Sequence, residues 1–422
     1  MVAADGAPGA GIGSLWPAVA VIAFAAAALF APRGLVVILA LGAVLGLTAG
    51  TVRSGLDAAL KSPPLAPIGL LMLWAAVAIW WSPDRAEAIR SWHGLLWVAL
   101  GALVVVAQAH GLRPGTRLRL ERAMVAAAAG FVVILGLEVA TDAVIMRSLR
   151  TALYGDIYPV DWIFLGHYLR PTAVLAIFAW PCALVLWRRF GPGLALVFLV
   201  LAAGLAGLIG MNAAFLAMLA GGLVFAATFR FPRAGAAALA ILTAATVLLA
   251  PLIVALIADP GLAALPSSWV HRLVIWNFVS ERIAENPWIG WGFDASKHLP
   301  GATEPIVIGG IATVTLPSHP HNGSLQVWAE LGVPGALALA AVFAGAAWAI
   351  RSANLPRLDS AARAAGLAAF FVLFSLSYGA WQNWWLALAA LIAALYVALS
   401  GPLTPRASLS GDPSTDRPPI GR

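Results

Sequence analysis

The feature that most constrains this chain is a succession of apolar runs, each close to the thickness of a membrane. A helix needs about 20 apolar residues to cross the hydrocarbon core of a bilayer. Across the chain 62% of the residues are hydrophobic and 10% are charged, whereas soluble domains carry about a quarter charged residues. The sequence therefore predicts an all-α fold, a polytopic membrane helical bundle.

We predict about twelve transmembrane helices that form one integral membrane domain over residues 1–400. The predicted spans are residues 15–31, 34–50, 65–81, 94–110, 123–141, 171–187, 192–210, 212–229, 234–258, 333–350, 362–380 and 383–400. The first apolar run has no Lys or Arg before it, so we expect a retained helix rather than a cleavable signal peptide. Residues 401–422 are rich in Pro, Ser and Gly and are predicted to be a disordered cytoplasmic tail.

The distribution of basic residues predicts the orientation. With the N-terminus placed in the cytoplasm, 16 of the 25 Lys and Arg residues fall on the cytoplasmic side and 9 on the other. This bias predicts a bacterial inner-membrane protein with both termini cytoplasmic. The positive charges lie in short loops against membrane lipids and form no single basic surface, which argues against nucleic acid as a partner.

Two predicted outer connections, residues 142–170 and 259–332, are too long to be simple turns and are expected to carry function. Within the second, residues 267–285 have helical spacing of their apolar residues, and Asn286-Pro287 should end that helix. The helix could lie on the membrane interface or pack on the bundle. Its arginines, Arg272 and Arg282, suit a diphosphate through their planar guanidinium groups, or could anchor to lipid headgroups.

The densest polar cluster is the segment S-H-P-H-N-G at residues 318–323, at the mouth of an apolar helix. A metal site would need three or four ligands, and His319 and His321 supply two, with His298 as the other candidate nearby. Asn322 or Ser324 could instead cap the helix that follows. A third interpretation makes His321 a general base, because imidazole accepts a proton from a sugar hydroxyl near neutral pH.

The spacing around these residues resembles the O-antigen ligase family. His321-Asn322, nine residues, Gly332, two residues and Gly335 is similar to the signature of that family. Arg272-Leu-Val-Ile-Trp276 followed by Glu285-Asn-Pro-Trp-Ile-Gly-Trp-Gly292 resembles its large periplasmic loop. Trp381-Gln-Asn-Trp-Trp385 resembles the end of some members.

The resemblance implies a metal-independent membrane glycosyltransferase of the GT-C type, with no cofactor. It would move a glycan from undecaprenyl diphosphate to lipid A–core or another surface glycan, with inversion, on the periplasmic face. His321 would be the base, with His319 and Asn322 beside it, and Arg272 would be the loop arginine that holds the donor. Arg282 remains a further candidate for substrate binding. Asn212 stands where many members have an arginine, and Arg170 could compensate for that loss.

Other function classes remain open from the sequence. A polysaccharide polymerase would share the same motif. A transporter or flippase would fit the number of spans, but such proteins carry ionisable groups within the membrane, and Glu138 is the main candidate here. A non-enzymatic scaffold is the third alternative.

Overall fold

The computed structural model describes residues 12–48, 52–155, 160–257 and 266–400. Within these ranges the chain forms sixteen α-helices, three short 3-10 helices and one β-hairpin. The predicted tail, residues 401–422, lies outside the described residues. The α-helices are α1 (Ile12–Phe30), α2 (Leu35–Thr48), α3 (Val52–Leu60), α4 (Leu65–Ala78), α5 (Arg85–His110), α6 (Pro114–Ala140), α7 (Val144–Tyr154), α8 (Val160–Phe190), α9 (Pro192–Leu208), α10 (Asn212–Arg230), α11 (Pro232–Leu248), α12 (Ala250–Ile257), α13 (Ser267–Glu285), α14 (Gly323–Ser352), α15 (Arg357–Leu376) and α16 (Asn383–Ala398).

The predicted fold class, an all-α membrane bundle, is confirmed. Among the described residues six helices are long and apolar enough to cross a membrane, and a seventh span arises if α11 and α12 count as one. Five further apolar helices are shorter, and they coincide with the remaining predicted spans. Because these five are too short by length alone, the count of twelve stays a prediction.

Helix α8 lies at the centre of the bundle. Residues 171–186 are buried on every face, and α8 contacts α1, α6, α9, α10, α15 and α16. A helix that is apolar all round belongs in such an interior. Four of the other long spans, α5, α6, α10 and α14, are only 22–33% buried over their most apolar part, as expected of helices that face lipid. Helix α15 is 67% buried and belongs more to the interior.

Two predicted spans end differently in the structure. The span predicted at 234–258 is broken, since α11 and α12 meet at an angle of 71°. Pro251, at the start of α12, has no backbone N–H to continue the preceding helix. The span predicted at 362–380 stops at Leu376, and residues 377–382 form an irregular segment before α16. That segment proves central to the site described below.

The predicted connection at 142–170 is largely helical where it is described. Helix α7 occupies its first part, and α8 begins at Val160 rather than near residue 171. The carboxylate of Glu138 accepts hydrogen bonds from the backbone N–H groups of Ile145 (2.8 Å) and Met146 (3.2 Å) at the start of α7. It also lies 3.1 Å from the Nε2 atom of His167. Glu138, the candidate for transport coupling, is therefore fully engaged in holding α7 against the bundle.

The large connection carries α13 and a β-hairpin, which holds the only β-strands among the described residues. Strands β1 (Pro305–Ile308) and β2 (Ile311–Val314) pair antiparallel. Gly309 and Gly310 both have positive φ at the turn, the conformation that tight hairpins need. Helix α13 has the predicted bounds, and Asn286 follows its last residue.

Helix α13 packs on the bundle, which was one of the two predicted alternatives. Its buried face meets the first turns of α14 and part of the loop between residues 299 and 316. Leu273 and Trp276 are buried on this face, whereas Val274 is only partly buried.

Helix α14 is kinked at Gly332, where φ is 60° and ψ is −157°. A Cβ atom there would lie 2.5 Å from the carbonyl oxygen of Trp288, so only glycine fits. The turn at residues 287–292 completes the broken helix. Its Trp291 N–H donates to the carbonyl of Ala329 at 2.8 Å, and Val333 N–H donates to the carbonyl of Pro287 at 3.0 Å. These bonds satisfy groups that the kink releases, which a buried backbone requires.

Candidate active site

The histidine segment is held between α13 and α14. The indole N–H of Trp276 on α13 donates to the carbonyl of Pro320 at 2.8 Å. Asn322 begins α14 as its N-cap, and its side-chain oxygen accepts from the N–H groups of Ser324 (3.0 Å) and Leu325 (3.1 Å). The predicted capping is therefore confirmed for Asn322. It leaves the oxygen of Asn322 committed to the helix.

His321 lies between these anchors with a positive φ of 55°. Left-handed backbone is uncommon for residues other than glycine and clusters at functional sites. The strain is maintained because both neighbouring residues are fixed, Pro320 by α13 and Asn322 by α14. The fixed backbone places the imidazole of His321 against the segment that follows α15.

The hydrogen bonds of His321 define which nitrogen is free. Its Nδ1 atom lies 2.9 Å from the backbone carbonyl oxygen of Ser377. A carbonyl oxygen only accepts, so Nδ1 carries the ring proton and Nε2 keeps its lone pair. Burial lowers the pKa of His321, and the bond to Ser377 opposes that effect while the charge of Arg272 adds to it. His321 is therefore a neutral imidazole with an unprotonated Nε2 at neutral pH.

His319 packs beside His321, with ring centroids 4.5 Å apart. Its Nδ1 atom accepts from the backbone N–H of His321 at 3.1 Å. The side-chain amide of Gln382 lies 3.0 Å from its Nε2 atom. Burial lowers the pKa of His319 to about 3, and neighbouring positive charges contribute. His319 thus remains neutral and links His321 to the segment 377–382.

Arg272 is the predicted arginine that lies with the histidines. Its positive charge lowers the pKa of both His319 and His321. One terminal nitrogen donates to the carbonyl of Ser268 at 3.1 Å, and the guanidinium lies 5.3 Å from the ring centre of Trp269. Its Nε atom is buried and has no hydrogen-bond partner among the described residues. Arg272 therefore keeps donor capacity for a ligand.

Glu330 connects the parts of the site. It is fully buried, and its carboxylate accepts four hydrogen bonds: from the hydroxyl of Ser296, the backbone N–H of Asp294, the amide of Gln326 and the indole of Trp381. An ionised carboxylate is an acceptor at both oxygens and matches four donors. The amide oxygen of Gln326 in turn accepts from the N–H of Ala380 at 2.8 Å. Glu330 thereby fixes the segment 377–382, which supplies the partner of His321.

Arg170 and Gln382 border a cleft of about 360 Å³. The cleft is lined by Arg33, Val36, Arg170, Gln382, Asn383 and Trp384. The guanidinium of Arg170 lies 5.8 Å from the ring centre of Trp384. Gln382 borders this cleft and also contacts His319, so the cleft adjoins the histidine pair.

Two other predicted site residues, Arg282 and Asn212, show no contact with the histidine segment among the described residues. Arg282 follows Arg272 by ten residues on α13, roughly 15 Å along the axis, and pairs with Glu285 at 2.8 Å. The proposed donor contact of Arg282 therefore finds no support in its position. Asn212 is exposed at the start of α10, and in the described part of the chain no hydrogen bond joins it to the histidine segment.

His298 is not a third ligand beside His319 and His321. Its Nε2 atom lies 3.2 Å from the carboxylate of Glu87. Asp84, Glu87 and His298 have potential ligand atoms within 4.8 Å of one another. Lys297 also pairs with Glu87, so a cation already compensates this carboxylate.

Sequence reasoning missed Ser377, Gln382 and Arg33 as members of the site. Ser377 contributes only a backbone carbonyl, and since every residue has one, its residue type gives no indication of this role. Gln382 lies in the motif near the C-terminus that carried part of the family resemblance, and this was its available signal. Arg33 was counted only for orientation, although an arginine between two predicted spans could have been compared with Arg170.

The fold and the site together define a polytopic helical membrane protein with a neutral histidine and arginines at one end of its bundle. Comparison with known proteins specifies the family. Residues 171–340 match the family model of the O-antigen ligases. This match confirms, over residues 171–340, the resemblance to that family seen in the sequence.

Relatives in Rickettsia agree with this assignment. A protein of Rickettsia conorii, provisionally named a polysaccharide ligase, is 29% identical over 281 residues, which cover 64% of this chain and 64% of the relative. A provisionally named polysaccharide ligase of Rickettsia felis is 28% identical over 64% of this chain and 65% of its own length. One from Rickettsia bellii is 35% identical over 52% of this chain and 54% of its own. The match thus spans slightly under two thirds of the first two relatives.

Proposed function

We propose that this protein is a membrane glycosyltransferase that moves a glycan from undecaprenyl diphosphate to an acceptor hydroxyl on the periplasmic face. Three observations support the proposal: the family of residues 171–340, the names of the relatives, and the chemistry of the histidine site. The acceptor is lipid A–core or another surface glycan. The proposal depends most on one observation, the hydrogen bond between Nδ1 of His321 and the backbone carbonyl of Ser377.

That bond prepares His321 for general base catalysis. In the transfer step, Nε2 of His321 accepts the proton of the acceptor hydroxyl as the acceptor oxygen attacks the anomeric carbon of the donor sugar. The bond between that carbon and the phosphate oxygen breaks, and undecaprenyl diphosphate leaves with the bonding electrons. Attack opposite the leaving group inverts the anomeric configuration. A positioned base contributes about 10²–10⁴ to the rate of such a step.

Arginines serve the leaving group. A diphosphate gains negative charge as the glycosidic bond breaks, and fixed guanidinium groups stabilise that charge with paired hydrogen bonds. Arg272 lies on the histidine side of the site and retains an unpaired buried donor. Its charge also keeps His321 unprotonated, which the base role requires. His319 positions His321 through the backbone bond between them.

A strain that lacks this protein tests the proposal. Its surface polysaccharide and its lipid-linked intermediates would be separated on gels, with the wild-type protein and His321→Ala returned on plasmids. Accumulation of polymer on undecaprenyl diphosphate, corrected by the wild type and not by His321→Ala, supports ligation. Accumulation of single repeats would assign a polymerase that uses the same chemistry. An unchanged profile in the deletion strain contradicts glycan transfer altogether. Immunoblots of membrane fractions must show equal amounts of both proteins.

A further inference from the structure

The cleft beside Gln382 is formed by three separate parts of the chain. Arg33 comes from the 3-10 helix Pro32–Gly34 between α1 and α2, Arg170 comes from α8, and Gln382, Asn383 and Trp384 come from the start of α16. Two guanidinium groups thus border one space of about 360 Å³. Their charges act on one another, so the cleft concentrates positive potential.

Neither arginine is neutralised by a residue that the structure describes. No carboxylate in the described ranges lies within 4.0 Å of Arg33 or Arg170, whereas Arg188 pairs with Asp359 and Arg189 with Glu121. Arg33 is exposed and Arg170 is partly buried. Two cations without a carboxylate partner on one cleft favour a ligand with more than one negative charge.

The helices that carry the cleft also lead to an apolar cavity. Val36 on α2 and Trp384 on α16 line the cleft, and Ile38, Gly42 and Leu391 on the same two helices line a cavity of about 90 Å³. Trp384 and Leu391 are seven residues apart, roughly 10 Å along a helix. The polar and apolar spaces therefore follow one another along α2 and α16, which suits an amphiphile with an anionic head.

We propose that the cleft of Arg33 and Arg170 binds the diphosphate head of the lipid-linked donor, with the first isoprenoid units along α2 and α16. This inference rests on the proposed function. It separates two roles: Arg272 lies with the base, and the cleft holds the lipid-proximal end of the leaving group. Gln382 joins the two sides through His319.

Binding of undecaprenyl diphosphate to the purified full chain, in nanodiscs of phosphatidylcholine, tests the proposal. Native mass spectrometry or fluorescence competition would give the dissociation constant for the wild type, Arg33→Gln, Arg170→Gln and the double variant. Each single change removes charge-assisted hydrogen bonds and should weaken binding about tenfold, and the double change about a hundredfold. Arg85→Gln, a matched control whose arginine stacks on Trp80 away from the cleft, should bind like the wild type.

Two competitors distinguish the sources of phosphate. Inorganic pyrophosphate should compete only at concentrations at least about a hundredfold higher, because it lacks the apolar chain. Phosphatidylglycerol should not compete at membrane concentrations. Equal competition by phosphatidylglycerol would make the cleft a site for membrane headgroups and overturn the inference. Unchanged donor affinity in the double variant, with its melting temperature preserved, would overturn it as well.

The outcome is separable from that of the proposed function. His321→Ala should abolish transfer and keep donor affinity within about twofold of the wild type. If His321→Ala transfers glycan normally while the double variant fails to bind donor, the base assignment fails and the cleft assignment stands. Should the double variant bind donor normally and His321→Ala be inactive, the cleft assignment fails alone. Arg33→Lys with Arg170→Lys guards against misfolding, since it keeps both charges and should recover part of the affinity.

Discussion

The two sides of Gln382 differ in how their polar groups are satisfied. On one side, His321, Asn322 and Glu330 are held by hydrogen bonds to α14, to residues 294–296 and to the segment 377–382. On the other, Arg33 and Arg170 face a cleft and have no carboxylate partner among the described residues. The first arrangement fixes a base before substrate arrives, and the second leaves charge for a ligand to neutralise. Changes on the first side should affect turnover and stability, and changes on the second should affect donor binding.

The largest effect is expected for the base. His321→Ala should lower the rate of glycan transfer by about a thousandfold, because a positioned general base contributes about 10²–10⁴. The rate would be measured under single-turnover conditions with purified protein and lipid-linked donor. His271→Ala is the matched control, since His271 also contacts a backbone carbonyl, that of Val314, at 3.3 Å. An equally large loss of transfer rate in His271→Ala would show that the effect is not specific to His321, and it would contradict the assignment of His321 as the base.

Glu330→Gln should disturb the hydrogen bonds that hold the segment 377–382, while the side chain of His321 is still present. The amide offers one acceptor oxygen, so two of the four donors would face an NH₂ group, at a cost of about 1–3 kcal/mol for each unsatisfied group. We expect a loss of about 2–4 kcal/mol in the free energy of unfolding, or a clear fall in melting temperature. Turnover should fall about tenfold to a hundredfold while the KM for donor stays nearly constant, since the segment 377–382 would no longer hold His321. A change confined to KM would contradict this positioning role.

The pH dependence of transfer should reveal the environment of His321. Its pKa is lowered from the ordinary value of about 6.5, so the unprotonated form persists on acidification past that value. The rate should stay level from pH 8 to about 6.5 and fall only below it. Arg272→Gln removes a charge that opposes protonation, so its acid limb should move to higher pH. Arg272→Lys keeps the charge and should leave the limb in place while lowering the rate, about tenfold, through poorer phosphate contacts.

Substitutions in the cleft of Arg33 and Arg170 should lower the stability less than substitutions among the hydrogen-bonded residues around His321. Arg33→Gln is expected to leave the free energy of unfolding within about 0.5 kcal/mol of the wild type, because an exposed side chain without partners contributes little. The free energy of unfolding of both Arg33→Gln and Glu330→Gln would be measured in the same detergent. A large destabilisation by Arg33→Gln would show that Arg33 stabilises the fold, and the two regions would then not differ as described.

The smallest effect concerns the helix cap. Asn322→Ala should cost about 1 kcal/mol of stability, the usual value of an N-cap, with little change in donor affinity. Asn322→Asp keeps the acceptor oxygen and should retain the stability. A substrate-binding role for Asn322 would instead appear as a weakened donor affinity in both variants.

Parts of this structure were predictable because their causes are local. The length of the apolar runs indicated the bundle, Asn286-Pro287 gave the end of α13, and Asn322 was a candidate cap before α14. In each case the signal lies within a few residues of the feature it determines. The family spacing likewise identified His321 from its own neighbourhood.

The rest depends on contacts between distant residues. Ser377 is 56 residues from His321, and its carbonyl is available only because α15 ends at Leu376, where the apolar sequence predicted a continuing span. Arg33 and Arg170 meet across helices that no local pattern pairs. The break between α11 and α12 was also missed, because a proline inside an apolar run can kink a helix or end it.

The protonation of His321 is the central claim, and the protein labelled with ¹⁵N-histidine tests it most directly. Nitrogen spectra of the full chain in lipid at pH 7, with His321→Gln used to assign the signals by difference, would report both ring nitrogens. We expect a neutral ring with the proton on Nδ1 and an unprotonated Nε2 that can accept the proton of an acceptor hydroxyl. A proton on Nε2, or a doubly protonated ring at pH 7, would contradict it.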